Sequence, residues 1–261
     1  MTAVAATLLR AEGLHKVFGA LAAIQDLSFA VERGTIHSII GPNGAGKTTL
    51  FNLITGLYQP TEGRIFFENE DITAQPPHVL ARHGLSRTFQ NLQIFLNMTA
   101  LDNVMVGYHL RCDTRFLPSL FRFRSVVRKD AEYRERAAEL MAFVGLKDYV
   151  KADASAMPYG ALKRLEIARA LAVQPKMLLL DEPAAGLNPA ETLAIDALIQ
   201  KVADRGVTVV LVEHDMRLVW AVSNRILVLN YGRKLAEGTG AEVRANPEVV
   251  AAYLGEGGRN L

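Results

Sequence analysis

The sequence predicts an α/β fold, a mostly parallel sheet with helices on both faces, and three observations predict it. Apolar, β-branched runs at residues 35–40, 176–180, 207–212 and 225–230 read as strands. Helical stretches with marked starts separate the later runs, and strands alternating with helices call for parallel pairing with both faces covered. Half of the 261 residues are hydrophobic, enough for a sizeable core. In such a sheet the ligand site lies at the carboxyl ends of the strands.

Residues 8–18 and 22–32 are strand-like runs, and 35–40 is a buried-type strand followed by a Gly-rich turn and a helix from Lys47. A further strand is predicted at 63–68, after which strand signals vanish for about a hundred residues. That shift predicts a helical subdomain, at about 91–160, inserted into a β-containing core. Within it Thr99 and Asp102 form a capping box, and Tyr133, Ala137, Leu140, Met141 and Val144 share one helical face. Asn188, Pro189 and Glu191 supply an N-cap, an N1 proline and an N3 acid for a helix after the 176–180 strand. No internal repeat or low-complexity tract interrupts the chain, which reads as one domain over 1–261.

Composition excludes several classes. Twenty-nine Lys and Arg against twenty-seven Asp and Glu leave a net charge of +2, too little for a global field that would draw nucleic acid. The longest uncharged stretches, 48–61 and 88–101, are too short and too polar to span a bilayer. The apolar start lacks a basic segment and meets Arg10, a poor secretory signal. A single cysteine, Cys112, permits no internal disulfide, and the cytosol is the expected compartment.

Gly41-Pro42-Asn43-Gly44-Ala45-Gly46-Lys47-Thr48 matches G-x-x-x-x-G-K-[ST] between a predicted strand and a predicted helix, the context this phosphate loop requires. Its glycines let backbone N–H groups turn onto phosphates, and the helix N-terminus adds its positive dipole end. Lys47 would reach the outer phosphates, with Thr48 a candidate Mg²⁺ ligand and Thr49 beside it. Leu178, Leu179 and Leu180 lead into Asp181 and Glu182. After a phosphate loop, Asp181 is the expected Mg²⁺ residue and Glu182 the candidate base that takes a proton from the attacking water. His214 follows the 207–212 strand on the same edge and can meet the γ-phosphate or the water. Gln90 opens the helical insertion, where its amide can touch Mg²⁺ or its water.

In this order the motifs resemble the ATP-binding cassette (ABC) family: the phosphate loop, Gln90, a signature segment at 157–164, Asp181-Glu182, a turn at 185–188, and His214. The resemblance covers nearly the whole chain. It implies a P-loop ATPase core with a mostly parallel sheet, an N-terminal antiparallel β-subdomain and an inserted α-helical subdomain, binding ATP and Mg²⁺. Phe18 falls where the family places an aromatic that stacks on adenine; a core aromatic in a hairpin is the alternative.

The signature reads Met157-Pro158-Tyr159-Gly160-Ala161 where the family usually has Leu-Ser-Gly-Gly-Gln, so only the second glycine remains. Pro158 has neither the hydroxyl nor the N–H of a serine. This Pro-Tyr-Gly segment is similar to that of LivG-type ATPase subunits of branched-chain amino-acid importers, although Ala161 departs even from them. The resemblance implies a peripheral subunit on the cytoplasmic face of the inner or plasma membrane. Its expected partners are membrane-spanning permease subunits, a second ABC ATPase subunit forming a homo- or heterodimer, and, indirectly, a periplasmic or extracellular substrate-binding protein; no nucleic acid is expected. Gly160 is then expected to act in trans on the ATP of the facing subunit. Urea or short-amide importers share much of the pattern, and a soluble cassette ATPase or a P-loop kinase or GTP switch are further alternatives. The insertion 111–129 carries six basic residues and one acid among Phe116, Phe121 and Phe123, readable as a solvated loop or as a surface beside the membrane partner or the anionic headgroups.

Overall fold

The computed structural model describes residues 6–109 and 124–254. Two sheets organise it. In the first, β1 (Thr7–Phe18), β2 (Leu21–Glu32), β4 (Glu62–Phe67) and β5 (Glu70–Asp71) pair antiparallel in the order β2-β1-β4-β5. In the second the order is β10-β9-β3-β8-β7-β6, built from β3 (Ile36–Ile40), β6 (Leu85–Arg87), β7 (Met177–Asp181), β8 (Thr208–Val212), β9 (Arg225–Asn230) and β10 (Arg233–Gly238). All its pairings are parallel except the β9–β10 hairpin.

Every residue of β3, β7 and β8 is buried, the pattern of central parallel strands covered on both faces. Each fully buried Leu or Val in them contributes roughly 1.5–3 kcal/mol of transfer free energy. One core, including Leu50, Phe51, Ile39, Leu179 and Val210, fills the space between the sheets around α1 (Lys47–Ile54). A second joins the other face, through Leu178, Leu180 and Leu211, to α3 (Ala100–Gly107), α4 (Arg124–Phe143), α5 (Tyr159–Ala172) and α6 (Pro189–Asp204). Shorter helices α2 (Pro77–His83), α7 (Met216–Val222), α8 (Gly240–Ala245) and α9 (Pro247–Leu254) complete the α-helices among the described residues.

Local signals act as their chemistry directs. Thr99 accepts the N–H of Asp102 at the start of α3, and its hydroxyl donates to the Asp102 carboxylate at 2.6 Å. Asn188 and Glu191 form a reciprocal capping box on α6. Ala137 and Met141 on α4 and Val144 just past its end are buried, and Tyr133 stacks on Tyr108 with ring centroids 5.0 Å apart.

Three strands were not signalled by sequence pattern. β5 has two residues and β6 three, too short for any periodicity, so the stretch after 68 is not strand-free. β10 is rich in charge and forms because the turn at Tyr231 and Gly232 folds it back on β9. The basic insertion 111–129, with Phe116, Phe121, Phe123 and Cys112, lies outside the described residues apart from its final helical part.

Candidate functional site

Four neighbouring strands of the second sheet deliver the site. In spatial order β3, β8, β7 and β6 end at Ile40, Val212, Asp181 and Arg87, and all run in the same direction. Their carboxyl ends therefore bring the phosphate loop, His214, Glu182 and Gln90 to one edge, although these residues are far apart in the chain. The resulting cleft of about 680 Å³ is lined by Asn43, Gly44, Ala45, Gly46, Lys47, Thr48 and Thr49, together with Gln90, Glu182 and His214.

The loop needs its glycines. Gly41 has φ +155 and a Cβ there would lie 2.2 Å from the Leu229 carbonyl oxygen. Gly46, the N-cap of α1, has φ +103 and would bring a Cβ to 2.7 Å from the Ala23 carbonyl oxygen. No side chain caps α1, which leaves its first N–H groups for an anion. Lys47 is buried and donates to the carbonyls of Gly41 at 2.6 Å and Pro42 at 3.0 Å, so its ammonium is held over the loop before any phosphate arrives.

Glu182 lies at the centre of the cleft's polar contacts. One carboxylate oxygen is 2.7 Å from His214 Nε2 and the other accepts from Gln90 Nε2 at 3.0 Å. Facing a carboxylate, His214 Nε2 is the protonated nitrogen. Glu182 has φ +48, in the left-handed region that costs a non-glycine residue about 1–2 kcal/mol. Its N–H donates to the Val212 carbonyl at 2.9 Å, which fixes the turn out of β7.

Asp181 is buried beside Arg87, whose Nη2 donates to Oδ2 at 2.7 Å. Arg87 also donates to Asn52 Oδ1 at 2.6 Å and sits near the rings of Phe51 and Phe89. Thr48 and Gln90 offer a hydroxyl and an amide oxygen from the cleft lining, and Asp181, the residue before the lining Glu182, offers a carboxylate at the end of β7. A carboxylate, a hydroxyl and an amide are the donor types Mg²⁺ takes alongside phosphate oxygens, so the residues fit that ion.

Phe18 and Gly160 stand apart from this group. Phe18, at the β1–β2 hairpin, meets Tyr58 edge-on at 5.2 Å and has Lys16 Nζ 4.9 Å above its ring, and it is not part of the cleft lining. Gly160 is buried in the first turn of α5, and a Cβ there would lie 2.4 Å from Glu191 Oε1. The signature glycine is thus packed against the cap of α6 in its own chain.

Sequence reasoning missed the groups that hold the site in shape. Glu213 is buried and accepts the N–H groups of Ala184 and His214 at 2.8 and 2.9 Å. Burial pushes its carboxyl pKa up despite those bonds, and the Glu182 charge adds to the rise. Its signal was visible, since it directly follows an apolar strand as Glu182 does. Three side chains on α5 grip the Gln90 segment. Lys163 donates over a long 3.4 Å to the carbonyls of both Gln90 and Glu182, Glu166 accepts the N–H groups of Phe89 and Gln93 at 3.4 and 3.5 Å, and Arg169 donates to the Gln93 carbonyl. Burial raises the Glu166 pKa, opposed by those N–H groups and by Arg169 and Lys163.

Known proteins share this arrangement. The ABC transporter family pattern matches residues 24–185, and that of the branched-chain amino acid ATP-binding cassette transporter matches residues 233–259. The chain is 46% identical over 250 residues to the high-affinity branched-chain amino acid transport ATP-binding protein BraF of Pseudomonas aeruginosa, covering 95% of this chain and 98% of that one. It is 43% identical, with the same coverage, to LivG of Escherichia coli K12, which bears the same description. A crystal structure of a nucleotide-free ATP-binding cassette from an ABC transporter superposes with a TM-score of 0.83 at 35% identity, covering 95% of this chain and 99% of that one. The ADP conformation of an ATP-binding cassette of an ABC transporter gives a TM-score of 0.83 at 36% identity, with 96% and 99% covered. A phosphate loop facing a carboxylate at the ends of adjacent parallel strands, in a chain this similar over nearly its full length, leads to one conclusion: the chain belongs to the ABC transporter family and is its ATP-hydrolysing cassette.

Proposed function

We propose that this chain powers import of branched-chain amino acids by hydrolysing ATP with Mg²⁺ on the cytoplasmic face of a membrane, through separate membrane-spanning permease subunits. One observation carries the catalytic part: Glu182 is held between His214 and Gln90 at the mouth of the phosphate-loop cleft. The substrate part is supported by the family match at 233–259 and by the relatives' descriptions. No helix among the described residues is long and apolar enough to cross a membrane.

Lys47 and the loop N–H groups bind the phosphates, with Thr48, Asp181 and Gln90 as the residues that would hold Mg²⁺. The ion when bound neutralises charge on the β- and γ-phosphates. Glu182 accepts a proton from water placed between it and the γ-phosphate. His214 donates to Glu182 at rest and can turn the same N–H to the phosphate. Phe18 offers an aromatic to the adenine from the hairpin tip. A second cassette faces this one head to tail, Gly160 closes over the partner's ATP, and Gln90 passes the movement to the helical subdomain. In the trans contact, the N-terminus of α5 supplies the anion-binding dipole that Pro158 cannot supply as a hydroxyl.

Two measurements test this. Lys47→Ala should abolish nucleotide binding, whereas Glu182→Gln should bind ATP and lose roughly 10²–10⁴ in turnover, the usual worth of a general base. Glu182→Gln retaining its ATPase rate would refute the base. Deleting the chain from its host should abolish uptake of leucine, isoleucine and valine; loss of urea or amide uptake instead would redirect the substrate.

A further inference from the structure

The turn between β9 and β10 forms an additional wall of the nucleotide cleft. Tyr231 lines that cleft with Leu21, Ala22, Ala23 and Gln25, and it is 78% exposed, the highest value among the exposed large hydrophobic residues of the described chain. An aromatic ring left this open has no packing role of its own to explain it.

The backbone beneath the ring is held at a cost. Tyr231 has φ +45, a left-handed conformation that is an outlier for a bulky side chain. A turn of this shape normally takes Asn or Gly at the position, both of which enter it with less strain. Strain that persists at an exposed aromatic beside a ligand cleft points to a role for that side chain.

The turn is also fastened to the phosphate loop. Gly232 donates to the Ala45 carbonyl at 3.0 Å, and its own carbonyl accepts the Gln25 N–H at 2.8 Å. The Gln25 side chain donates to the Tyr231 carbonyl at 3.2 Å and accepts from Arg233 at 2.9 Å. Gly232 itself has φ +77, and a Cβ there would lie 2.6 Å from the Ala23 carbonyl oxygen. These contacts position Tyr231 relative to the phosphates and to β2. β1 pairs with one edge of β2, and the 231–232 turn bonds to β2 at Gln25.

We propose that Tyr231 is a nucleoside-binding residue whose ring packs against the base or ribose of ATP held at the phosphate loop. The inference rests on the reading that this cleft binds ATP, and it adds to it the group that recognises the non-phosphate end. Stacking needs a π face and no hydroxyl, so phenylalanine should replace tyrosine.

The test compares the affinity of the full-length chain for Mg·ATP and for inorganic tripolyphosphate in wild type, Tyr231→Phe, Tyr231→Ala and Tyr231→Gly. Base stacking on an aromatic predicts a loss of about 5- to 100-fold in ATP affinity for the Ala and Gly variants, with Phe within about twofold of wild type. Tripolyphosphate affinity should be unchanged in all four. Glycine suits the left-handed turn, so Tyr231→Gly should melt no lower than wild type while losing ATP affinity, which separates lost contact from lost fold. Unchanged ATP affinity in Tyr231→Ala, or equal weakening of both ligands, would overturn the proposal and leave the phosphate loop reading intact. A wild-type chain that binds neither ligand would overturn both.

Discussion

Glu182 and His37 show how a single residue's surroundings set its chemistry. Glu182 is only partly buried and its two oxygens are occupied by His214 and Gln90, so either neighbour can be released when a nucleotide and water arrive. His37 is the opposite case. It lies fully buried as the second residue of β3, both ring nitrogens lack a hydrogen-bond partner, and burial lowers its pKa to about 4. Glu237 raises that value and Arg225 lowers it, both less than burial does. Because the folded pKa is depressed, the unfolded chain binds a proton between about pH 6.5 and 4 and the folded chain does not, so stability falls with pH through that window. Relative to His37→Leu, the wild-type chain should lose about 2 kcal/mol between pH 7 and pH 5, read from urea midpoints at the two pH values. Taking the difference removes the contribution of Glu166 and Glu213, whose raised pKa values act in the other direction. Equal pH dependence in both proteins would show that His37 is not the group responsible.

At the scale of elements, α5 touches both the Gln90 segment and the start of α6. Glu166 accepts the Phe89 and Gln93 N–H groups that bracket Gln90, so Glu166→Ala should speed hydrogen exchange at those two amides and lower turnover while ATP binding at the phosphate loop is kept. Unaltered exchange at Phe89 and Gln93 would remove the clamp from the account. The N-terminal end of α5 makes the second contact. Gly160→Ala displaces Glu191 from Asn188 and should cost about 0.5–2 kcal/mol, the worth of a helix cap. In Glu191→Ala the alanine at 160 should cost much less, since the displaced group is gone; additive losses in the double variant would disprove the coupling. The capping signals of α3 and α6 were legible in sequence because a cap is a local interaction, with both partners within three residues. The α5 clamp was not legible, because Glu166 and Phe89 are 77 residues apart and nothing in either segment announces the other.

For the whole molecule, two sheets share a core around α1, so a ligand at the phosphate loop braces both. ATP at about a hundredfold above its Kd should add about 2.7 kcal/mol to unfolding stability, seen as a rise in Tm that Lys47→Ala abolishes. A rise that survives Lys47→Ala would place the binding elsewhere.

The sequence by itself determined the α/β class, the phosphate loop and the pair Asp181-Glu182, because each depends on a short run of residues whose chemistry and local backbone are read together. It also marked His214 and Gln90 as candidates, but not their meeting. Only the tertiary structure decided that both bond to Glu182, that Arg87 pairs with Asp181, that Gly160 packs on Glu191 in its own chain, and that Tyr231 stands at the cleft. Parallel pairing is the reason: it joins strands from distant parts of the chain and aligns their carboxyl ends, so the partners of a catalytic group are set by strand order in the sheet.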